Sequence, residues 1–372
     1  MWHFCRAVLL ALLLIVSQTT EEETIEEGCD NVLDSHFVCP PVSDWKQADV
    51  SFSFYDEDDR LDITCNKNSS AEELEINLAR ISPLRKKQVN LKVLRIKNCP
   101  APSQSYSAWL LKLGSEVDSL RDLRVLRSRE NGDNVNLNSE HFVGLQLLTS
   151  IKLSGSLEVL GPGLLSNLLA LEEFILKRGE EEKGLVLASV HKHAFKQNKN
   201  LKNITIANSA VSRIQKDTFK GLQHLETLDL GHNNISILPE ELLSDVPKLE
   251  ELLLRHNSIS ALPPNLLLRN PILKIFSAQY QRLQEGGTLK IPAKLFQYSA
   301  KLKDLHLQGN SLKTLPDILF QGLTKLKLLE LNENNLTNSA LGDEIFKDLD
   351  SLEEINLNGN KLTSPLLRSF TQ

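Results

Sequence analysis

The sequence predicts an α/β solenoid, a curved stack of short units with a parallel β-sheet on its concave face and a disulfide-bonded cap at its N-terminal end. Three observations predict it. An eleven-residue leucine pattern recurs along the chain, four of its intervals are 24 residues long, and all the cysteines fall before residue 100.

The first element is residues 1–20, "MWHFCRAVLLALLLIVSQTT", where Arg6 precedes an apolar run from Ala7 to Val16 that gives way to small polar residues and then to the acidic "EEETIEE". This order reads as a cleaved signal peptide. A membrane span needs about 20 apolar residues in a helix, and the run holds ten. Charged and polar residues interrupt every later hydrophobic stretch, so no membrane span is expected and the chain as written is secreted. With 42 Lys and Arg against 48 Asp and Glu, the formal net charge of -6 gives no general attraction for nucleic acid, and a basic partner fits better.

Residues 21–90 form the second element, the cap. A solenoid must cover its first strand, because an open end exposes core and unpaired backbone. The four cysteines beyond the leader are Cys29, Cys39, Cys65 and Cys99. They allow three pairings, between which sequence alone does not choose; we favour Cys29 with Cys39 and Cys65 with Cys99. Zinc is the competing use of cysteine, but there is no C-x-x-C pair and the compartment is oxidising. Asn68, Asn203, Asn234 and Asn335 stand in N-x-S/T acceptors, which fits a glycosylated extracellular protein.

Residues 91–372 are the array. "LETLDLGHNNI" from Leu225, "LEELLLRHNSI" from Leu249, "LKDLHLQGNSL" from Leu302, "LKLLELNENNL" from Leu326 and "LEEINLNGNKL" from Leu352 all fit L-x-x-L-x-L-x-x-N-x-L. Weaker copies start at Leu91, Leu148, Leu171, Leu201 and Leu273, with a poorer one near Leu120, giving about eleven leucine-rich repeats. The leucines face a core that no unit closes alone, so neighbours must stack. The central x-L-x-L-x forms a short parallel strand. Asn233, Asn257, Asn310, Asn334 and Asn360 at the ninth position turn the chain and satisfy backbone groups of adjacent turns; Cys99 takes that place in the first unit. Phe142, Phe195, Phe219, Phe296, Phe320 and Phe346 recur downstream of the strands as an aromatic spine.

Two intervals are longer: 30 residues from Leu171 to Leu201, with "KRGEEEKG", and 29 from Leu273 to Leu302, with "LQEGGTLKIP". Such insertions enter loops on one face. After Leu362 only ten residues follow. No C-terminal cap is expected among them, which would leave the last unit's apolar face open and prone to self-association.

Reactive constellations are missing. There is no G-x-S-x-G, no G-x-x-x-x-G-K-[ST] and no H-E-x-x-H, so neither catalysis, a metal nor a cofactor is expected. His191 and His193 read as solvated surface. His232 and His256 share the eighth position of adjacent units, about 5 Å apart, which allows a pH-responsive pair.

The outward strand positions carry the candidate site. From the fourth unit onward six are acidic, Glu173, Asp229, Glu251, Asp304, Glu330 and Glu354, and none is basic. Leu253, Ile275 and Leu328 are apolar neighbours, and His306 shares the face. Like charges on adjacent strands cost stability, so this lane reads as a concave site for a positively charged protein. The alternative is an ordinary solvated acidic face. The first unit differs, offering Arg95 and Lys97. A glycan at Asn203, on an outward position, would divide the face.

The chain resembles the extracellular part of insect Toll receptors. The resemblance is carried by "DITCNKNSS" in the cap, "LRIKNCPAPSQSYSAWLLKLG" across the first repeat and "NPILKIFSAQYQRLQEGGTLKIPAKLFQYSAKLKDLHLQGNSLKTLP" around the second interruption. It implies an ectodomain that binds a dimeric cystine-knot cytokine of the Spätzle type in innate immunity and development. In such receptors the ligand brings two copies together, and the pairing of Cys65 with Cys99 matches the family pattern. No transmembrane helix or TIR domain follows Gln372, so the chain is expected to be either part of a longer receptor, on the outer side of the plasma membrane, or a short secreted form. A secreted matrix or adhesion protein built from the same repeats is the competing class; collagen binding would mark it.

Overall fold

The computed structural model describes residues 30–33, 36–39, 50–55, 58–65, 71–80, 90–126, 137–154, 157, 159–177, 187–342 and 344–363. The leader at 1–20, Cys29 of the expected Cys29–Cys39 pair, Asn68 and most of the first interruption lie outside them.

Four antiparallel strands open the fold: β1 (Asp30–Leu33), β2 (His36–Cys39), β3 (Val50–Tyr55) and β4 (Arg60–Cys65). A helix, α1 (Ala71–Arg80), follows. The chain direction then becomes uniform, because each repeat returns to the same side before its strand begins. The strands are β5 (Val93–Lys97), β6 (Asp122–Leu126), β7 (Ser150–Leu153), β8 (Val159–Leu160), β9 (Glu173–Lys177), β10 (Ser189–Val190), β11 (Asn203–Ala207), β12 (Thr227–Asp229), β13 (Glu251–Leu253), β14 (Ile275–Ser277), β15 (Asp304–His306), β16 (Leu328–Glu330) and β17 (Glu354–Asn356). All but β8 and β10, which pair with each other, join β1–β4 in one 15-stranded sheet that follows chain order. Since β4 pairs in parallel with β5, the cap and the array share one sheet.

Alternation along each strand sets its two faces. In the unit from Leu225, the side chains of Leu225, Leu228, Leu230 and Ile235 are all 0% exposed, while Thr227 faces outward and is half-buried. Among the described residues no strand follows β17, and Leu352, Ile355, Leu357 and Leu362 of that unit are only partly buried.

The ninth position is a hydrogen-bond ladder. Asn233 Nδ2 donates to the carbonyls of Ile206 at 2.7 Å and Leu230 at 2.9 Å, and its Oδ1 accepts from Val211 N at 3.3 Å. Asn257 repeats this one turn on, and Gln281 supplies the same contacts with its longer amide, to Leu254 O at 2.9 Å and from Ile259 N at 2.9 Å. Glutamine at 281 hides the unit from a search for asparagine, yet the amide does the same work. Where Cys99 takes the position, a disulfide to Cys65 replaces the ladder, with Cα atoms 4.9 Å apart.

The eighth position is equally regular. Asn98, Asn208, His232, His256, Tyr280, Gly309, Glu333 and Gly359 all have φ between 52° and 68°. The chain leaves every one of these strands through a left-handed residue, which costs a side chain about 1 kcal/mol and glycine little.

The aromatic spine packs in segments. Phe195 and Phe219 stack at 6.1 Å, as do Phe320 and Phe346, and Phe276 meets Phe296 edge-on at 5.3 Å. Between Phe219 and Phe296 the equivalent positions are the buried Leu243 and Leu267. The second interruption is only partly a loop. Leu289 is buried, and Lys290 N donates to Ser260 O at 2.9 Å while its carbonyl accepts from Leu262 N at 3.0 Å.

Behind the first repeat, α2 (Tyr106–Lys112) is capped by Ser105, whose Oγ accepts from Ala108 N at 3.2 Å. It meets α1 through Glu75. That carboxylate accepts from Lys112 Nζ at 2.7 Å, from Ser103 N at 2.8 Å and Oγ at 2.6 Å, and from Trp109 Nε1 at 3.3 Å. Burial pushes the Glu75 carboxyl up, but these donors outweigh it and hold its pKa down to about 2.

Candidate functional site

The parallel register brings the outward side chains of the strands into columns with rungs about 4.8 Å apart. One column runs through Asp122, Ser150, Glu173, Asn203, Thr227, Glu251, Ile275, Asp304, Leu328 and Glu354. The other runs through Arg95, Arg124, Lys152, Ile175, Thr205, Asp229, Leu253, Ser277, His306, Glu330 and Asn356.

The ten candidate residues are therefore on one face, but they are not equivalent. Asp229 is 8% exposed. Its Oδ1 accepts from Gly231 N at 2.8 Å and its Oδ2 pairs with Arg255 at 3.0 Å. Gly231 makes that pair reachable, since a Cβ there would stand 3.1 Å from Arg255 Cγ. Glu173 accepts from Ser150 Oγ at 2.7 Å and Glu330 from Asn356 Nδ2 at 3.1 Å. The carboxylates of Glu251, Asp304 and Glu354 have no hydrogen bond or ion pair among the described residues. They alternate with Ile275 and Leu328 along the first column, so open carboxylates occupy every second rung. This spacing relieves the repulsion that adjacent like charges would bring. Leu253 lies in the second column between Asp229 and Ser277. His306 is turned toward neutrality by burial, against the opposing pull of Glu330 and Asp304.

A basic column at the cap-proximal end escaped the sequence reading, which examined outward positions only from the fourth unit and in the first. Arg95, Arg124 and Lys152 occupy consecutive rungs. Arg95 reaches Asp62 at 3.5 Å and Arg124 pairs with Asp122 at 2.6 Å, whereas Lys152 has no ion pair among the described residues. Extending the two outward positions through the units from Leu120 and Leu148 would have found it. The second column is thus basic near the cap, beside Asp122 and Glu173 in the first, and the face is acidic with apolar rungs beyond β12.

Asn203 sits half-buried on β11 between Glu173 and Thr227, at the boundary of the two regions. Asn234 is exposed, and its Oδ1 accepts from Arg282 at 3.2 Å. Asn335 is half-buried, with its backbone N–H bound to Leu312 O at 2.8 Å.

The expected histidine pair is a stack of three rings. His232 lies 4.3 Å from His256, and His256 lies 5.1 Å from Tyr280, all nearly parallel. Tyr280 Oη donates to Glu333 Oε1 at 3.2 Å across Gly309, whose missing side chain leaves room for the ring. Burial foremost, with the charges of Arg255 and Arg282, lowers the pKa of both imidazoles; each histidine also faces the other, and Asp229 opposes the shift at His232. His191 and His193 are 5.5 Å apart, and among the described residues no three metal-binding side chains gather. No helix of the described residues is long and apolar enough to cross a membrane.

Residues 199–259, 282–336 and 300–362 match the family described as Leucine rich repeat. No curated protein sequence matches the chain. Among solved structures, the Drosophila Toll–Spatzle complex aligns at 20% identity over 92% of this chain and 52% of that one, with a TM-score of 0.49. Its glycosylated form aligns at 16% identity over 91% and 55%, with a TM-score of 0.42. The TLR13–ssRNA13 complex aligns at 19% identity over 79% and 56%, with a TM-score of 0.38. The chain spans about half the length of these structures. Its fold is a leucine-rich-repeat solenoid.

Proposed function

We propose that this chain is the ligand-binding part of a Toll-like receptor ectodomain, and that its concave face takes up a dimeric cystine-knot cytokine of the Spätzle type in innate immune and developmental signalling. The receptor reading is supported by the sequence resemblance across the cap, the first repeat and the second interruption, and by the Cys65–Cys99 bond at the place that resemblance implies. The chain acts by binding, not by catalysis.

The observation that carries the site is the column Glu251, Ile275, Asp304, Leu328, Glu354, in which open carboxylates alternate with apolar side chains. Carboxylates steer a cationic partner and fix its register, while desolvated Ile275 and Leu328 supply contact area. Asp229 acts indirectly, holding Arg255 in place. A glycan on Asn203 would separate this region from the basic column.

Titration of the full chain with a dimeric cystine-knot cytokine tests the reading. The variant Glu251→Lys/Asp304→Lys/Glu354→Lys should bind at least about tenfold more weakly, since each reversed charge changes a steered contact. Asp229 is left intact because its loss would unpair Arg255. Unchanged affinity in the triple variant sinks the site. Binding of collagen in place of any cystine-knot cytokine sinks the receptor reading in favour of a matrix protein.

A further inference from the structure

The residue before each strand of the array forms another ladder, on the flank of the solenoid. From Glu172 onward its rungs are Glu172, Lys202, Glu226, Glu250, Lys274, Lys303, Lys327 and Glu353, and the N–H of each after the first donates to the carbonyl of the rung before it, at 2.7 to 2.9 Å. Charges on this flank are mostly compensated between neighbours: Lys202 pairs with Glu172 at 2.9 Å, Lys274 with Glu250 at 2.6 Å and Lys327 with Glu353 at 2.5 Å.

At the centre the compensation stops. Lys274, Lys303 and Lys327 are consecutive rungs, so three lysine stems stand about 4.8 Å apart. Lys274 turns to Glu250 on one side and Lys327 to Glu353 on the other. Lys303 is left between them, and Lys301 and Lys325, two residues before their rungs, add two more ammonium groups. All three are exposed, and none is in an ion pair among the described residues. Like charges on adjacent rungs oppose folding, and here they gather in a chain whose formal net charge is -6.

We propose that the flank carrying Lys301, Lys303 and Lys325 is a docking lane for a linear sulfated polysaccharide. The partner's chemistry follows from what the lane offers and what it lacks. Ammonium groups on flexible stems serve as point charges for sulfate oxygens. A protein partner would want a desolvated aromatic or apolar anchor. Within 300–303 and 324–327 the only large apolar residues are Leu302 and Leu326, both buried in the core, and the exposed Tyr298 is a single ring preceding the first segment. Single-stranded nucleic acid would want aromatic rings interleaved with the cations, and those segments contain none. The lane runs along the ladder, across consecutive units, which suits a polymer lying along the solenoid. Lys303 adjoins Asp304 in the chain, but none of the three lysines stands in the concave columns, so the inference does not rest on the cytokine reading.

The test uses the full chain with heparin, hyaluronan as an unsulfated polyanion, and polyuridylate as single-stranded RNA, over a salt series. Heparin should bind, and Lys301→Gln/Lys303→Gln/Lys325→Gln should weaken it at least about tenfold and flatten the dependence of log K on log salt by roughly two. The variant Lys196→Gln/Lys216→Gln/Lys294→Gln makes the same charge change at exposed sites off the lane and should leave affinity within about twofold, because removing distant charge acts only through a screened field. Equal losses in the two triple variants, tighter binding of polyuridylate or hyaluronan than of heparin, or no heparin binding at all would overturn the proposal.

Discussion

Replacing Asn257 by alanine removes one amide that bridges two turns of the solenoid and orphans one backbone N–H, that of Ile235. The Asn257 side chain is 0% exposed. Its Nδ2 donates to Leu230 O and Leu254 O, both at 2.9 Å, and its Oδ1 accepts from Ile235 N at 3.0 Å. Leu230 O still accepts from Asn233 Nδ2 and Leu254 O from Gln281 Nε2, both at 2.9 Å, but Ile235 is buried, so water does not reach its orphaned N–H without opening the repeat. Each unsatisfied buried group costs about 1–3 kcal/mol. One such group, with two further hydrogen bonds lost from carbonyls that keep a second donor, should lower stability by about 2–4 kcal/mol, which is large against the total of a typical domain. Asn360 provides the internal contrast, because it makes matching bonds to Leu331 O and Leu357 O at 2.9 Å each but is half-buried in the last unit. Asn360→Ala should cost only about 1 kcal/mol, since water replaces the lost partners. Urea unfolding followed by far-ultraviolet circular dichroism measures both. A loss below about 1 kcal/mol for Asn257→Ala, or equal losses at the two sites, would refute the view that these asparagines act as buried staples between turns.

Gly309→Ala should destabilise by about 1–3 kcal/mol, because φ is +66° and a Cβ would stand 2.3 Å from Tyr280 Cδ1. At Gly322, with φ +78° and no heavy atom within 4 Å of a Cβ, the same change should cost only the backbone strain, and melting temperatures of the two variants separate the terms. The Glu75 carboxyl is held at about 2 against 4.5, so its contribution is complete above pH 4.5 and is lost as pH falls from there toward 2. Glu75→Gln should therefore lower the urea midpoint at pH 7 and shrink the fall in midpoint between pH 5 and 3; an unchanged acid limb would contradict this. His232 and His256 have lowered pKa values, so the stability they hold as neutral rings is full above the unfolded value of 6.5 and is lost as pH falls below it. Between pH 7.4 and 5.5 the midpoint of the parent chain should drop, and that of His232→Asn/His256→Asn, which keeps side chains suited to the left-handed backbone, should drop less.

The fold was legible because its periodicity is local. Leucines at fixed spacing specify which side chains turn inward, and stacking then follows from the need to bury them, so the strands near Leu225, Leu249, Leu302, Leu326 and Leu352 could be placed from sequence. Gln281 was missed because the motif is written for asparagine, whereas the fold asks only for an amide of sufficient reach. The eighth position was legible as a place but not as a conformation. Nothing in the residues Asn98, His232, Tyr280 and Glu333 announces that all four share one left-handed backbone, because the constraint comes from the turn that every repeat must make.

The candidate site divides along the same line. Sequence by itself determined the repeat, the outward positions and their net sign, since each depends only on the alternation of side chains along a strand. Tertiary structure alone decided which charges are free. Asp229 and Glu251 read alike in the sequence, but Arg255 closes on Asp229 over Gly231 while Glu251 faces solvent. Lys274, Lys303 and Lys327 are likewise scattered along the chain and adjacent in space. Pairing between rungs depends on contacts more than twenty residues apart, and Coulomb interactions follow distance through space, not along the chain.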